Sequence, residues 1–495
     1  MPNTLIDAAK YKQLFLDDYA IESMEDLART LHPVDKQGPV IEPDESVGQL
    51  AVESNSPPQW NPDKGLYEWW FGARYSAPAH GPWAVTTTSR SHFATSADGL
   101  KWDRPSLGLY EWNGSKDNNI AGDPDKIRLK HIVRDDRDPD HARRYKGMFG
   151  SSTREFGVSP DGFDWTMLDI PGLPSEDTSH LLYDEYTEQF LAYHKHSTEW
   201  GRSIWLSSCK EFGDWSEAVL VFHSDELDKE NAAQRIQAVI DDPDYLTPPI
   251  VDEQDYIAQI YQMAVMPYEG LYVGFPVLYN PSGLIPPPQF NATGISQVEL
   301  TVSRDLYHWD RVADRALFIP LDKWDDVNYG TCQILPCGRP IVRDDGEILV
   351  YYTACRARGH KELYWNSPAS SHIDRSYFND SDESGIALSL GKVRPQGFVS
   401  LDAAGQGTLV TKPFATGGRG LRVNADVRGE LRAELLDAGT LEPIAGFSQA
   451  DCDAVSGDRV SAAVSWGSRT TPADGAIVRA RFTLRDAGLY AFWLE

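Results

Sequence analysis

The sequence predicts an all-β protein: a five-bladed β-propeller followed by a C-terminal β-sandwich. Three observations predict it. A Ser-x-Asp-Gly-x-x-Trp turn recurs along the chain, polar turns leading into aromatic-rich strands recur out of phase with it, and the composition changes near Gly397. Ser96–Trp102 reads Ser-Ala-Asp-Gly-Leu-Lys-Trp, and Ser159–Trp165 reads Ser-Pro-Asp-Gly-Phe-Asp-Trp. Ser303–Trp309 is a weaker copy, and Ser208–Trp215 a copy stretched by one residue. Such recurrence marks a repeat architecture. Asp-Gly supplies the positive φ of a tight hairpin turn, and the Trp plugs the hairpin against its neighbour.

The second element recurs five times. Trp60–Gly65 leads into Leu66–Tyr75, Asp135–Arg144 into Tyr145–Gly150, Asp184–Gln189 into Phe190–His194, Pro267–Gly270 into Leu271–Tyr279, and Arg343–Glu347 into Ile348–Cys355. Interleaved with the turns, each unit supplies about four strands, the content of one propeller blade. Ser159 and Ser208 lie 49 residues apart, a blade's length. An acidic insertion over Ser224–Asp255 carries a short helix at Glu226–Ile240. The strand-like Leu14–Ile21 is expected to close the ring on the last blade. After Gly397, Trp becomes scarce and alternating strands appear at Thr408–Val410, Gly420–Val427, Leu431–Leu436, Val460–Val464, Ile477–Leu484 and Tyr490–Leu494. These read as a sandwich. The expected domains are residues 1–396 and 397–495.

The chain has 495 residues and a net charge of −28, a surface that repels nucleic acid and anionic membranes. Its five cysteines show no metal-ligand spacing and no disulfide framework. The first residues lack a basic and apolar leader, and no run of apolar residues is long enough to span a bilayer. The expectation is a reduced, cytoplasmic protein.

In a propeller the starts of the innermost strands ring the mouth of a central depression. That rule selects Asp177, with Glu176, before the strand His180–Tyr183, and Glu53 in the first unit. Asp125, or Asp123, takes the equivalent place in the second unit, and Asp326 and Tyr329 lie in the polar, aromatic Trp324–Tyr329 stretch of the fifth. Asp17 and Asp18 interrupt an apolar strand on opposite faces, so one points inward, and Asp18 is held in reserve. His194, Lys195, His196 and Arg202 can hydrogen-bond hydroxyls, and Arg90 can pair with a site carboxylate. Each of these positions is also an ordinary turn, strand or surface residue on composition alone. Arg137-Asp138-Pro139 looks like the Arg-Asp-Pro motif of fructofuranosidases, but its register puts it in a solvated turn at the wrong end.

Carboxylates crowded around an aromatic pit suit glycosidic cleavage, in which one acid protonates the leaving oxygen and another acts as nucleophile or base. The five units, the recurring turn and the terminal sandwich resemble the five-bladed propeller glycoside hydrolases, the superfamily of invertases, levanases and arabinanases. More narrowly, Leu14–Ile21, Ser96–Leu109 and Gly114–Ile120 resemble uncharacterised bacterial predicted glycosyl hydrolases. The Trp-x-Asn-Asp-Pro and Glu-Cys-Pro motifs of the invertase-like family are absent. The resemblance therefore implies fold and chemistry but transfers no catalytic residue.

The expected activity is that of an exo-acting glycosidase on a short oligosaccharide or furanoside, with Asp177 as acid and Glu53 as nucleophile or base. The alternatives are a non-catalytic carbohydrate-binding propeller, or a lyase or phosphorylase at the same pit. Phosphorolysis would draw on the cationic cluster His194, Lys195, His196 and Arg202. The partner is a carbohydrate substrate. No cofactor and no metal is called for, although a structural calcium is compatible with the channel.

Overall fold

The computed structural model describes residues 5–80, 85–122, 131–285, 292–325, 327–358, 385–472 and 475–495. Among these the protein is almost entirely β, with one α-helix and a few single 3-10 turns. The N-terminal segment gives β1 (Gln13–Leu14), β2 (Ile21–Glu25), β3 (Ala28–Leu31) and β4 (Asp35–Ile41). A first antiparallel group follows: β5 (Gln49–Glu53), β6 (Gln59–Asn61), β7 (Leu66–His80) and β8 (Val85–Ser96), with β7 central. The second group is β9 (His131–Arg134), β10 (Tyr145–Phe149), β11 (Thr153–Ser159), β12 (Thr166–Met167) and β13 (Leu173–Pro174). The third is β14 (Ser179–Asp184), β15 (Gln189–Thr198), β16 (Gly201–Cys209) and β17 (Val219–Phe222), paired in chain order.

Helix α1 (Glu226–Asp241) comes next, where the acidic insertion predicts it. The fourth group is β18 (Gln259–Tyr268), β19 (Leu271–Leu284), β20 (Ala292–Val298), β21 (Thr301–Ser303) and β22 (Trp309–Arg311). The fifth is β23 (Gln333–Pro336), β24 (Ile341–Val342), β25 (Ile348–Cys355) and β26 (Ile386–Val393). The chain ends with β27 (Val399–Thr411), β28 (Phe414–Ala415), β29 (Leu421–Asp437), β30 (Val455–Ala463) and β31 (Ile477–Leu494).

Successive groups pack face to face through separate apolar clusters. Trp70 and Phe93 of the first group meet Ile132, Tyr145 and Phe149 of the second. Phe156 of the second meets Leu181 and Phe190 of the third. Leu182, Tyr193 and Ile204 of the third meet Val265 and Leu278 of the fourth. Val273 and Phe275 of the fourth meet Ile334 and Val350 of the fifth. Leu349, Tyr351 and Leu388 of the fifth return to Trp69 and Phe71 of the first. Single parallel bridges, Ser296 to Gln333 and Ile386 to Ala51, tie the fourth group to the fifth and the fifth to the first.

The strand that completes the fifth group is β4, whose Asp35–Ile41 pairs antiparallel with β26. The expectation that Leu14–Ile21 would fill this place is corrected. Within that stretch only Leu14, ending β1, and Ile21, opening β2, are strand, and they pair with β31 and β27 of the C-terminal sheet. Asp17 and Asp18 lie in bends, not on opposite faces of a strand, because each is drawn out by an arginine: Asp17 by Arg304 at 2.8 Å and Asp18 by Arg29 at 2.5 Å.

The C-terminal sheet is antiparallel, in the order β2–β27–β31–β29–β30, with β3 on β27 and β1 and β28 on β31. The two pairs of short strands expected at Gly420–Leu436 and Ile477–Leu494 are each one long strand. Register shifts between Val427 and Glu430, and a positive φ of 45° at Asp486, bend them without ending them. Phe15, Leu431, Phe482 and Phe492 lie in this sheet's own core.

Three of the four recurring turns share one hydrogen-bond pattern, while in the stretched copy the Ser208 N–H instead donates to Ser216 Oγ at 3.0 Å. Ser96 Oγ accepts the Gly99 N–H at 2.9 Å, while Asp98 Oδ1 accepts the N–H groups of Leu100 and Lys101 at 2.8 and 3.0 Å. Ser159 and Asp161, and Ser303 and Asp305, repeat it. Each turn seats on the preceding group. Gly162 packs on the Trp70 ring, and the Tyr351 hydroxyl donates to the Gly99 carbonyl. Gly162 has φ 82°, and a Cβ there would run into Trp70. Gly162→Ala therefore combines left-handed backbone strain with overpacking. It is expected to cost about 2–4 kcal/mol in a denaturant titration, and a loss under about 0.5 kcal/mol would contradict this account of the turn.

Arg137-Asp138-Pro139 lies in the connection between β9 and β10. Asp138 pairs with Lys146 at 2.6 Å and Arg143 at 3.1 Å. Burial pushes the Asp138 carboxyl up, but Lys146, the Asp140 amide and Arg143 outweigh it and hold it at about 2. With the folded value depressed, this stabilisation is present above about pH 4 and is lost as pH falls through about 2. Discounted for solvent screening, it amounts to about 1–2 kcal/mol. Asp138→Asn is expected to remove that part of the acid dependence of stability, as read by thermal melts between neutral and strongly acidic pH.

Candidate functional site

The site assembles where the third, fourth and fifth groups meet the first. Asp177 stands two residues before β14, and Lys195 lies on the neighbouring β15. The Ser179–His194 register and a bond from the Glu176 N–H to the Lys195 carbonyl at 2.8 Å bring them together. The Lys195 side chain is 1% exposed and ends in an ion pair on Asp177 Oδ1. The Tyr261 hydroxyl, from β18, donates to Asp177 Oδ2 at 2.9 Å. The Asp177 side chain itself remains 60% exposed.

These contacts set the charge state. Burial pushes the Asp177 carboxyl up, but Lys195, the Tyr261 hydroxyl and Arg202 prevail and hold it below the usual carboxylate range. Burial pushes Lys195 down, against the pull of Asp177. Burial and the Asp177 charge push the Tyr261 phenol well up, so it stays a hydrogen-bond donor.

Tyr261 and Tyr279 form an aromatic wall, with ring centroids 6.1 Å apart and edge to face. Arg202 lies beside it, 5.9 and 5.6 Å from the two centroids, and donates to Gln259 Oε1 at 2.7 Å. Arg358 covers Tyr279 at 4.3 Å and donates to the Ala292 carbonyl at 3.1 Å. A cavity of about 380 Å³ opens here, lined by Arg202, Gln259, Tyr279, Asp255, Ile257 and Leu284 among others.

Glu53 ends β5 and pairs with Arg74 of β7 at 2.6 Å, its side chain 18% exposed. The field of Glu53, Arg74 and Arg358 reaches the buried Cys355 thiol, which burial pushes well up. Tyr329 lies along the same rim, under the Arg356 guanidinium at 4.1 Å, and donates to Glu42 at 3.3 Å.

Of the remaining candidates, Glu176 accepts the Ser197 hydroxyl at 2.8 Å beside Asp177. His194 bonds His196 at 3.1 Å and Ser207 at 3.2 Å, and burial together with His196 pushes it down to about 4, which leaves it neutral. Asp18 is 75% exposed on Arg29, beside the C-terminal sheet. Arg90 packs on Trp112 at 3.9 Å, near Tyr75 and His92 of the first group, and has no carboxylate within ion-pair distance among the described residues. Asp125 and Asp326 lie outside the described residues. Among the described residues no cluster of His, Cys, Asp and Glu is arranged to hold a metal, and no helix is long and apolar enough to cross a membrane.

Tyr261, Tyr279, Gln259, Arg358 and Arg74 were not legible as site residues. No candidate fell in the fourth unit because Gln-Ile-Tyr-Gln carries no acid. Only the pairing of Gln259 with Tyr279 places those side chains beside Asp177.

No protein-family model matches the chain, and no curated protein matches it. Among solved structures it is similar to the catalytic domain of a GH62 α-L-arabinofuranosidase of Coprinopsis cinerea, at 10% identity over 73% of this chain and 97% of the other, with TM-score 0.38. It is similar also to the E230A fructofuranosidase of Schwanniomyces occidentalis, at 11% identity over 100% of both chains, with TM-score 0.38. A third likeness is to a structure reported for GH130, a family of mannoside phosphorylases containing glycoside hydrolases, at 13% identity over 74% and 95%, with TM-score 0.39.

Proposed function

We propose that this protein is a glycosidase: a five-bladed β-propeller within residues 1–396, carrying its site at the channel mouth, with a C-terminal β-sandwich over 397–495 to whose sheet the N-terminal β1, β2 and β3 add. The cyclic packing of five strand groups, fifth back on first, supports the propeller. One observation carries the activity: the Asp177 side chain stays 60% exposed while Lys195 and Tyr261 bond its two oxygens beside an aromatic wall, contacts that hold it below the usual carboxylate range. An ionised carboxylate suits the nucleophile or the base of glycosidic cleavage, not the proton donor. Asp177 therefore takes that role here in place of the acid role expected from the sequence, and Glu53, paired with Arg74, is the second carboxylate the reading draws on. Tyr261 and Tyr279 offer flat faces to sugar C–H groups, while Arg202 and Gln259 offer donors and acceptors to hydroxyls.

Phosphorolysis is less favoured. Lys195 is engaged by Asp177 and His194 is neutral, so the four-membered cationic cluster reduces mainly to Arg202. The test is a panel of chromogenic glycosides and plant or bacterial oligosaccharides, read by product analysis with and without phosphate. Release of free sugar that Asp177→Asn abolishes supports the reading. Full activity in both Asp177→Asn and Glu53→Gln rejects it.

A further inference from the structure

We propose a second carbohydrate-binding site at the opposite end of the strand groups, with Trp60 as its platform and a short neutral oligosaccharide as its ligand. A cavity of about 910 Å³ opens there, within reach of β6, the Ser96–Trp102 turn and the Arg339–Asp345 stretch. Its distance from Glu53 follows from register. Glu53 pairs with Gly72 on β7 and Trp60 pairs with Tyr67, five residues further along the strand, or about 17 Å. In the third group Asp177, before β14, and Glu185, which follows it and lines this cavity, lie at the two ends of that strand, eight residues apart.

Trp60 is 46% exposed although it lines a concavity. Its edge-to-face contact with Tyr67, at 4.8 Å, holds the ring in a fixed attitude and leaves a flat apolar face open. Pro57, Pro58 and Pro340 give the wall a stiff backbone, so the platform is formed before any ligand arrives.

The charges select the ligand. Arg134, Arg339 and Arg343 face Asp98, Asp136, Glu185, Asp344 and Asp345, so the lining carries a net negative charge and disfavours an anion. Most of the acids are already engaged, which disfavours a strongly cationic ligand as well. Arg339 Nη1 donates to both oxygens of Glu185, at 2.7 and 2.9 Å, Asp136 is paired with Arg134 at 2.8 Å, and Asp98 is held by backbone amides. Paired arginine–carboxylate forks keep spare donor and acceptor positions that suit vicinal hydroxyls. A flat apolar ring facing such forks fits a neutral sugar. The Ser-x-Asp-Gly turn, otherwise an architectural part, borders this site through Ala97 and Asp98.

The full chain carrying Asp177→Asn is titrated with neutral oligosaccharides of xylose, mannose, arabinose and fructose, by calorimetry and Trp fluorescence. Binding to at least one of them is expected, and Trp60→Ala should weaken it about tenfold or more, while Trp60→Tyr keeps most of it. In the Asp177 wild-type background, Trp60→Ala should leave turnover of a small chromogenic glycoside unchanged. Absence of binding across the panel, or binding indifferent to Trp60→Ala, overturns the proposal. The binding readout does not depend on turnover, so its failure and that of the glycosidase reading are separate outcomes.

Discussion

Asp177→Asn is expected to lower kcat by about 10³-fold on any glycoside the protein cleaves, with little change in KM. The substitution keeps the shape but removes the charge that Lys195 and Tyr261 hold in place. The pH dependence follows from the direction of the shift. Because the Asp177 carboxyl is held below its ordinary value, the ionised form is present at neutral and mildly acidic pH and is lost only as pH falls through the depressed value. The acid limb that Asp177 imposes on kcat/KM therefore lies below about pH 4. Lys195→Met removes the cation that stabilises the carboxylate most and leaves burial, which should move that limb upward. A pH–rate profile of the two proteins on one substrate reads both effects. A limb that does not move on Lys195→Met contradicts the assigned cause.

The second large effect concerns the seat of α1 on the fourth group. Asp228 is fully buried and caps α1 in a reciprocal box with Asp225. It also meets Arg311 at 2.5 Å and Arg315 at 2.6 Å. Glu299, equally buried, takes Arg235 at 2.5 Å and the other arm of Arg311 at 2.7 Å. Removing one member leaves buried cations short of a partner. Asp228→Ala is accordingly expected to cost about 3–5 kcal/mol in chemical denaturation, well beyond the ~1 kcal/mol of a lost cap alone. A loss near 1 kcal/mol would show that the buried arginines find other partners.

The order of elements was legible because the turn chemistry is local. Ser96, Ser159 and Ser303 each form the same bonds within their own segment, so the repeat could be counted from sequence. The third copy has Leu306 at φ 74° where the others have Gly, and it is still recognisable because the Ser and Asp contacts persist. Pairing over long separations was not legible. Asp35–Ile41 contains Gly38-Pro39 and reads as a connection, whereas the more apolar Leu14–Ile21 reads as a strand, so nothing local tells that the former completes the fifth group. The site was legible only where an acid stands before an inner strand, as at Asp177. Tyr261 and Arg358 matter through contacts across the sheets, and neither residue type announces itself. The expected role of Asp177 also depended on partners: Lys195 and Tyr261 hold its carboxyl below the usual carboxylate range.

The most direct test of that assignment replaces Asp177 with Ala and supplies sodium azide with the substrate the panel identifies. A small anion that enters the vacated space can replace a missing carboxylate nucleophile or base, but not a missing proton donor for the same step. The account predicts that turnover of Asp177→Ala, negligible alone, rises with azide concentration, while wild-type turnover does not. No rescue by azide, together with an acid limb in the wild type well above the ordinary carboxylate range, would contradict it.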